Sequence, residues 1–337
     1  MALALIVHGG AGDIPPARFA AAREGCHAAA VAGWHVLQQG GSALDAVQAA
    51  IIALENNPSF NAGTGGVLTA DGRAELDAGM MDGATLAAGG VAGIERVKNP
   101  IVLARRVLES PHVLLTGAGA EQFAVESGMA LVDPHEMITP TQYERWKIGY
   151  AHGDDVNAGD RVEVGGLTTE EAPQPEPTAT NGAHAASPQQ AAPDEPVHAD
   201  GHKHGTVGAV AVDAGGNVAA GASTGGIGAK HPGRVGDTPL VGAGFCAENG
   251  LGGVSSTGRG EDFIRLLLAR RALDFIAAGD SAQAAAIKAI QLLSQRVGGS
   301  GGLILLDGQG RVGYARNSSA MAHAFITETM DEVFAGV

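Results

Sequence analysis

The chain has 337 residues, enough for one large domain or two ordinary ones, with 45% hydrophobic residues, 4% aromatics and 52 glycines. That balance favours tight turns and close strand packing over an aromatic core. A formal net charge of −15 leaves no Lys/Arg excess to displace counterions, which argues against nucleic-acid binding, and no apolar run approaches the length of a membrane span.

Cys26 and Cys246 are too few for a disulfide framework. The start of the chain lacks a charged n-region and a long apolar run, so no signal peptide is read and a reducing, cytoplasmic setting is expected. Ala2 to Val7 reads as a short buried strand. His8-Gly9-Gly10-Ala11-Gly12 reads as a loop whose glycines let backbone approach a ligand closely. Residues 17–38 carry Ala21, Ala22, Cys26, Ala29, Ala30 and Leu37 as an apolar stripe, and Gly40-Gly41 stops that helix. Ser42 caps the next helix over Ala43 to Ile52.

Leu54 to Gly66 is too polar and too broken by Pro58 and glycine for regular structure. Val67 to Thr69 and Ala74 to Asp77 suggest a hairpin around Asp71-Gly72, and Met80 to Gly93 suggests further strand. Pro100 to Glu109 reads as a helix with proline in its first turn, Val113 to Thr116 as a strand and Gly119 to Ser127 as a short helix. Composition changes after Ala151. Residues 152–204 are rich in Asp, Glu, Pro, Ala, Gln and Thr and cannot bury enough surface to offset their ordering entropy, so a flexible acidic linker is expected. His198, His202 and His204 fall in it and, without a carboxylate or thiol scaffold, read as solvated side chains rather than metal ligands.

A clear strand pattern begins at Thr206. Val207, Ala209 and Ala211 alternate with Gly208, Val210 and Val212, so both faces are apolar. Asp213 to Asn217 is turn chemistry, and Val218 to Ala222 is the returning strand. The Gly205-Thr206 junction, between a loop and a buried strand, is a place where a chain can cleave itself. Cleavage frees Thr206 as an N-terminus whose α-amine, with an ordinary pKa of about 7.7–8.0, can act as base for its own hydroxyl. Taken alone, Gly-Thr-Val-Gly reads as an ordinary hairpin strand, and only the ordered motifs around it reverse that reading.

Further along, Pro239 to Ala247 suggests a strand, continued by Gly252 to Ser256 toward Thr257-Gly258-Arg259-Gly260. Glu261 to Ala278 and Ser281 to Val297 read as two amphipathic helices, and Leu303 to Gly313 as a final hairpin. Strands at both ends with helix pairs between them suggest an α+β domain of two packed sheets under helical layers. Lys230 is followed by His231, so the Gly-Lys-Ser/Thr end of a phosphate loop is absent. Gly242-Ala243-Gly244-Phe245-Cys246-Ala247 fits a loose dinucleotide fingerprint, but no βαβ unit follows. A dinucleotide-binding oxidoreductase is the remote alternative, and an inactive binding protein is a further one.

The run Thr206-Val207-Gly208-Ala209-Val210-Ala211, followed by Ser223-Thr224-Gly225-Gly226 and Pro232-Gly233-Arg234-Val235-Gly236-Asp237, resembles the plant-type asparaginase/isoaspartyl peptidase family of N-terminal-nucleophile hydrolases. The resemblance covers nearly the whole chain outside about 152–204. It implies a four-layer αββα sandwich, an α-subunit part over 1–151, a linker over 152–205 ending at the cleavage site Gly205-Thr206, and a β-subunit part over 206–337. It implies an autoprocessed isoaspartyl peptidase with L-asparaginase activity on a small-molecule or dipeptide substrate, assembled as a dimer of cleaved αβ units. Glycosylasparaginase is the nearest alternative.

Thr206 supplies nucleophile and base, and Thr224 can bond its amine or hydroxyl. Thr257 and Gly258 suit an oxyanion hole, where losing one donor typically costs about 2.7–4 kcal/mol. Arg234 and Asp237 suit a free α-carboxylate and α-ammonium. The resemblance supports these roles, adds Val235, Gly236, Arg259 and Gly260 to the substrate loops, and implies that Asn61 lines the oxyanion or nucleophile environment. No cofactor is expected for catalysis. The resemblance also implies a structural sodium or potassium ion held by the backbone carbonyls of Leu54, Glu55, Asn57, Phe60, Ala62 and Thr64. Arg259 stands where many relatives have a smaller residue, which bears on the leaving group.

Overall fold

The computed structural model describes residues 3–151 and 205–337; the acidic stretch and its His198, His202 and His204 lie outside the described residues. The apolar start of the chain forms β1 (Ala4–Gly12), followed by α1 (Phe19–Gln38) and α2 (Ala43–Glu55). Ser42 caps α2 as expected, its side chain accepting from the Asp45 N–H. Next come β2 (Leu76–Asp82), β3 (Ala88–Ile94), α3 (Pro100–Leu108), β4 (Leu114–Thr116), α4 (Gly117–Glu126) and α5 (Pro140–Ala151). After the acidic stretch follow β5 (Val207–Val212), β6 (Val218–Thr224), β7 (Phe245–Glu248), β8 (Gly252–Gly258), α6 (Gly260–Leu266), α7 (Leu268–Ala277) and α8 (Ala282–Val297). The chain ends with β9 (Gly301–Asp307), β10 (Val312–Arg316), β11 (Ala320–Thr327) and β12 (Phe334–Gly336).

The strands form two sheets, one of order β12-β11-β1-β5-β6-β2-β3-β4 and one of order β10-β9-β8-β7. The period-2 alternation of the central strands sorts their side chains to two cores. Leu5 and Val7 of β1, Ala209 and Ala211 of β5, and Ala78 and Met80 of β2 pack with α1, α2 and α3. Ala4 and Ile6, Val210 and Val212, and Val218 and Ala220 face the other way, toward β7, β8, β9, α7 and α8. Both faces are apolar, so alternation alone does not fix register. Glycines do: a side chain at Gly208 would run into Ser255 Oγ on β8, and one at Gly79 would run into the Phe245 ring. The chain is thus an α+β fold with β5 in the middle of its larger sheet.

Several elements differ from expectation. β1 continues through His8 to Gly12 instead of ending in a loop; Gly10, at φ +106°, absorbs an irregularity between His8 and Ala11. The Asp71-Gly72 turn forms, with Gly72 at φ +82°, but Val67 to Thr69 does not become a strand. Thr69 instead bridges to Lys230, and β2 pairs with β3 around the turn at 83–87. Residues 239–244 are turn and bend apart from an isolated bridge from Val241 to Phe245, so the strand expected from Pro239 starts only at Phe245. The helix expected over Glu261 to Ala278 breaks at Leu267, which is left-handed at φ 51° and divides α6 from α7. The terminal hairpin is β9–β10, and the chain then adds β11 against β1. α5, β11 and β12 are further elements that the sequence reading lacks.

Candidate active site

Thr206 sits one residue before β5, between the ends of β1 and β6, and is only 5% exposed. The carbonyl oxygen of Gly205, on the bond preceding it, accepts two hydrogen bonds: from Asn61 Nδ2 at 2.9 Å and from Thr224 Oγ1 at 2.8 Å. Gly10 makes room for this junction, since a Cβ there would lie 3.1 Å from Gly205 Cα. Thr224 Oγ1 also accepts from the Gly226 N–H at 2.9 Å, which commits its own proton to Gly205. Asn61 donates to Gly226 O at 2.6 Å and accepts from the Val67 N–H at 2.9 Å. The arrangement has the form of an oxyanion hole around the Gly205 carbonyl of the uncut chain. Thr224 was expected to reach the amine or hydroxyl of Thr206; in the uncut chain its partner is the neighbouring carbonyl.

Thr206 Oγ1 lies 3.5 Å from Thr238 Oγ1, at the outer limit of a hydrogen bond. Nothing in the local sequence singles out Thr238, which follows Asp237 on the same loop. Thr257, at the end of β8, accepts from the Ala11 N–H at 3.2 Å, which leaves its hydroxyl proton free to donate. Phe263 and Ser300 O crowd Gly258, so only glycine fits at that corner. Behind β5, His8 Nε2 lies 2.9 Å from Ser255 Oγ and joins the two sheets. Burial holds this imidazole neutral, its pKa pushed down to about 3. In the sequence alone His8 reads only as part of a loop.

The substrate-loop residues divide. Arg234 points its guanidinium fork at Glu261, with Nε to Oε1 at 2.8 Å and Nη2 to Oε2 at 2.7 Å. Glu261 escaped the sequence reading because its position on α6 looks like an ordinary first-turn acid. Asp237 is 3% exposed, and its Oδ2 has no hydrogen-bond partner among the described residues. Burial pushes its carboxyl up to about 7, against the pull of Arg234. Gly260 packs against it so closely that a Cβ would sit 2.8 Å from Asp237 N and 2.9 Å from Oδ1. Val235 and Gly236 lie between these two side chains on the loop. Arg259 is exposed, its Nε 3.9 Å from Glu261 Oε2.

The Leu54 to Thr64 segment begins at the end of α2 and closes in a short 3-10 turn, Gly63–Gly65. The carbonyls of Asn57 and Ala62 each accept one backbone N–H, both at 3.1 Å, which leaves each a second lone pair, while that of Leu54 accepts from both Asn56 and Asn57. Gly63, at φ +51°, would place a Cβ 2.5 Å from Glu55 O, and a Cβ on Gly65 would collide with Phe60 O. Glycine is therefore what lets these carbonyls crowd together. A set of neutral backbone oxygens suits a hard monovalent cation, so the residues present fit the ion that the resemblance implies. Gly242 to Ala247, the loose dinucleotide fingerprint, leads into the antiparallel pair β7–β8 and not into a helix, which removes the phosphate site it would need.

A family model described as Asparaginase matches residues 1–335. A plant-type L-asparaginase of Pyrococcus abyssi (strain GE5 / Orsay) is 44% identical over 338 residues, 99% of this chain and 100% of that protein. An isoaspartyl peptidase/L-asparaginase of Rattus norvegicus is 41% identical over 312 residues, covering 92% and 82% of the two chains. An isoaspartyl peptidase of Salmonella typhimurium is 41% identical over 328 residues, covering 95% and 94%. The chain belongs to the asparaginase family of hydrolases.

Proposed function

We propose that the protein is an isoaspartyl peptidase with L-asparaginase activity, matured by cleavage of its own Gly205–Thr206 bond. The observation that carries this reading is the pair of donors, Asn61 Nδ2 and Thr224 Oγ1, on the carbonyl oxygen of that bond. Thr206 Oγ1 attacks the Gly205 carbonyl carbon, and negative charge develops on the oxygen that these donors hold. The C–N bond breaks, an ester forms, and water hydrolyses it, leaving a Gly205 carboxylate and a free α-amine on Thr206. In the mature enzyme that amine takes the proton from Thr206 Oγ1 as it attacks a substrate side-chain amide. Ammonia or an amino acid leaves, and water releases aspartate from the ester.

Thr257, with its proton free, and the Gly258 N–H hold the substrate oxyanion. Arg234 takes the α-carboxylate and Asp237 the α-ammonium of the aspartyl group, with Val235, Gly236, Arg259 and Gly260 shaping the pocket. The carbonyls of Leu54, Glu55, Asn57, Phe60, Ala62 and Thr64 would hold a sodium or potassium ion, which would stiffen the segment that carries Asn61. The two cores on either side of the larger sheet support the four-layer αββα arrangement, with 1–151 and 206–337 as two parts of one catalytic domain. A dimer of cleaved αβ units completes the reading. Cys26 and Cys246 are buried and unpaired, which supports a cytoplasmic setting.

The test is denaturing electrophoresis with N-terminal sequencing of purified protein, beside assays of asparagine, β-Asp-Leu, α-Asp-Leu and N-acetylasparagine. One fragment should begin Thr206-Val207-Gly208, and Thr206→Ala should stay a single, inactive chain. Asparagine and β-Asp-Leu should be cleaved and the other two spared. Full activity from an uncut protein, or equal turnover of the α- and β-linked dipeptides, would refute it.

A further inference from the structure

A buried pair of opposite charges lies next to the turn that carries the two donors of the Gly205 carbonyl, and neither member contacts that carbonyl. Lys230 is 3% exposed. Its Nζ donates to Glu75 O at 2.9 Å and stands 4.0 Å from Asp77 Oδ2. Asp77 is fully buried on β2 and directly opposite Thr224 on β6. Its Oδ1 accepts from the Gly93 N–H at 2.8 Å, while Oδ2 has no hydrogen-bond partner among the described residues and faces the ammonium.

The Lys230 stem and head press on Gly226. A Cβ built on Gly226 would lie 2.9 Å from Lys230 Cδ and 3.0 Å from Nζ, and Gly226 is left-handed at φ +83°. Gly226 is the residue that unites the two donors: its N–H bonds Thr224 Oγ1 and its carbonyl accepts from Asn61 Nδ2. The lysine is itself fixed by its backbone, which bridges to Thr69 and accepts from the Ala70 N–H at 2.8 Å. Glu75 extends the network outward, its Oε2 accepting from the Gly233 N–H at 2.8 Å and its Oε1 pairing with Arg73 at 3.1 Å.

We infer that Lys230 and Asp77 are positioning residues, a buried ion pair that holds the Thr224–Gly226 turn and so aims Asn61 and Thr224 at the carbonyl they polarise. The inference rests on the self-cleaving reading above and deepens it. A buried ion pair is weak evidence for stability, since an apolar or neutral replacement is often as stable. Burial pushes the Lys230 ammonium toward its neutral form and Asp77 toward its acid, and each is opposed by the other's charge. The contact of Lys230 with Gly226, the residue that joins both donors, points to placement of the turn as the pair's role.

The experiment uses the full chain and three variants: Lys230→Met, Asp77→Asn, and both together. Single variants leave one buried charge without its partner and should lose thermal stability; the double variant is neutral and should recover most of it. The double variant should still cut itself, and turn over β-Asp-Leu, about 10- to 100-fold more slowly than wild type, the scale expected when catalytic groups are misplaced by about 1 Å. The loss should fall on kcat, with KM within about threefold, because Arg234 and Asp237 are untouched. A double variant that regains both stability and wild-type rates would overturn the inference, and so would a loss confined to KM. Wild type is the reference throughout, so failure of wild type to cut itself strikes the self-cleaving reading, whereas wild-type rates in the variants strike only the role of the pair.

Discussion

At Asp237, packing against the backbone of Gly236 and Gly260 disfavours the charged form and raises the carboxyl from an ordinary 3.8 to about 7. A substrate ammonium needs the ionised form, so kcat/KM for asparagine should rise between about pH 5 and pH 8 along a titration near 7, since that ratio reports the free enzyme. The linkage to stability runs the opposite way. Below 3.8 both folded and unfolded forms are protonated; between 3.8 and about 7 the folded protein holds the extra proton, so this group's stabilising contribution is lost as pH rises through about 7. Asp237→Asn should therefore be nearly inactive, yet its melting temperature relative to wild type should climb from pH 4 to pH 7 and then level off. A flat difference would mean that Asp237 is not the group titrating. Arg234 offers a second test. Its fork is held by Glu261, which is 42% exposed, so the substrate carboxylate proposed for it would have to displace or share that partner. Half-exposed pairs are worth about 0.2–1 kcal/mol, so Glu261→Gln should lower KM for asparagine by about 1.4- to fivefold with kcat little changed, as steady-state kinetics would read. A raised KM would show that Glu261 orients the arginine for its ligand instead.

At the scale of elements, the Leu54 to Thr64 segment depends on glycines more than on side chains. Gly65→Ala would drive a methyl group into Phe60 O, and there is backbone on both sides of it. Wild type should gain melting temperature with sodium or potassium chloride by mass action beyond what an equal concentration of choline chloride gives, and Gly65→Ala should lose that increment. An identical response to choline would dismiss the cation. The same segment shows what was legible beforehand. Thr224 and Asn61 meet at the Gly205 carbonyl next to Thr206, because the turn at Asp213 to Asn217 lets β5 and β6 pair, with Val207 beside Ser223. Ser42 and Gly40-Gly41 marked a helix boundary through chemistry confined to a few residues. Leu267 marked nothing: a left-handed leucine has no sequence signature, and the apolar period runs straight through the break between α6 and α7. Asp77, Lys230, Thr238 and Glu261 were equally hidden. Each gains its meaning from residues between about 20 and 160 positions away, as with the contact from Lys230 to Glu75.

At the scale of the whole molecule, the order of the larger sheet decides what cleavage can do. β11 pairs with β1, β1 with β5, and β6 with β2, and each of these pairs joins a strand before the 152–204 stretch to one after it. Ala4 to His8 is bonded on both edges, to β11 and to β5, so a strand of the first part is enclosed by strands of the second. Pulling the parts apart would expose Leu5, Ile6, Val7, Val210 and Val212, all fully buried, at about 1.5–3 kcal/mol for each such side chain, along with three ladders of backbone hydrogen bonds. Cutting one bond at Gly205 removes none of these contacts. The fragments 1–205 and 206–337 should therefore elute together from a sizing column at nanomolar concentration, unfold in one cooperative transition, and separate only in denaturant. The uncut Thr206→Ala chain should melt within a few degrees of the cut enzyme, because the bond lies before the first paired residue of β5 and cutting it removes no ladder bond. Dissociation of the fragments under native conditions, or two separate transitions, would mean that the two parts are independent units and that the single interleaved sheet is wrong.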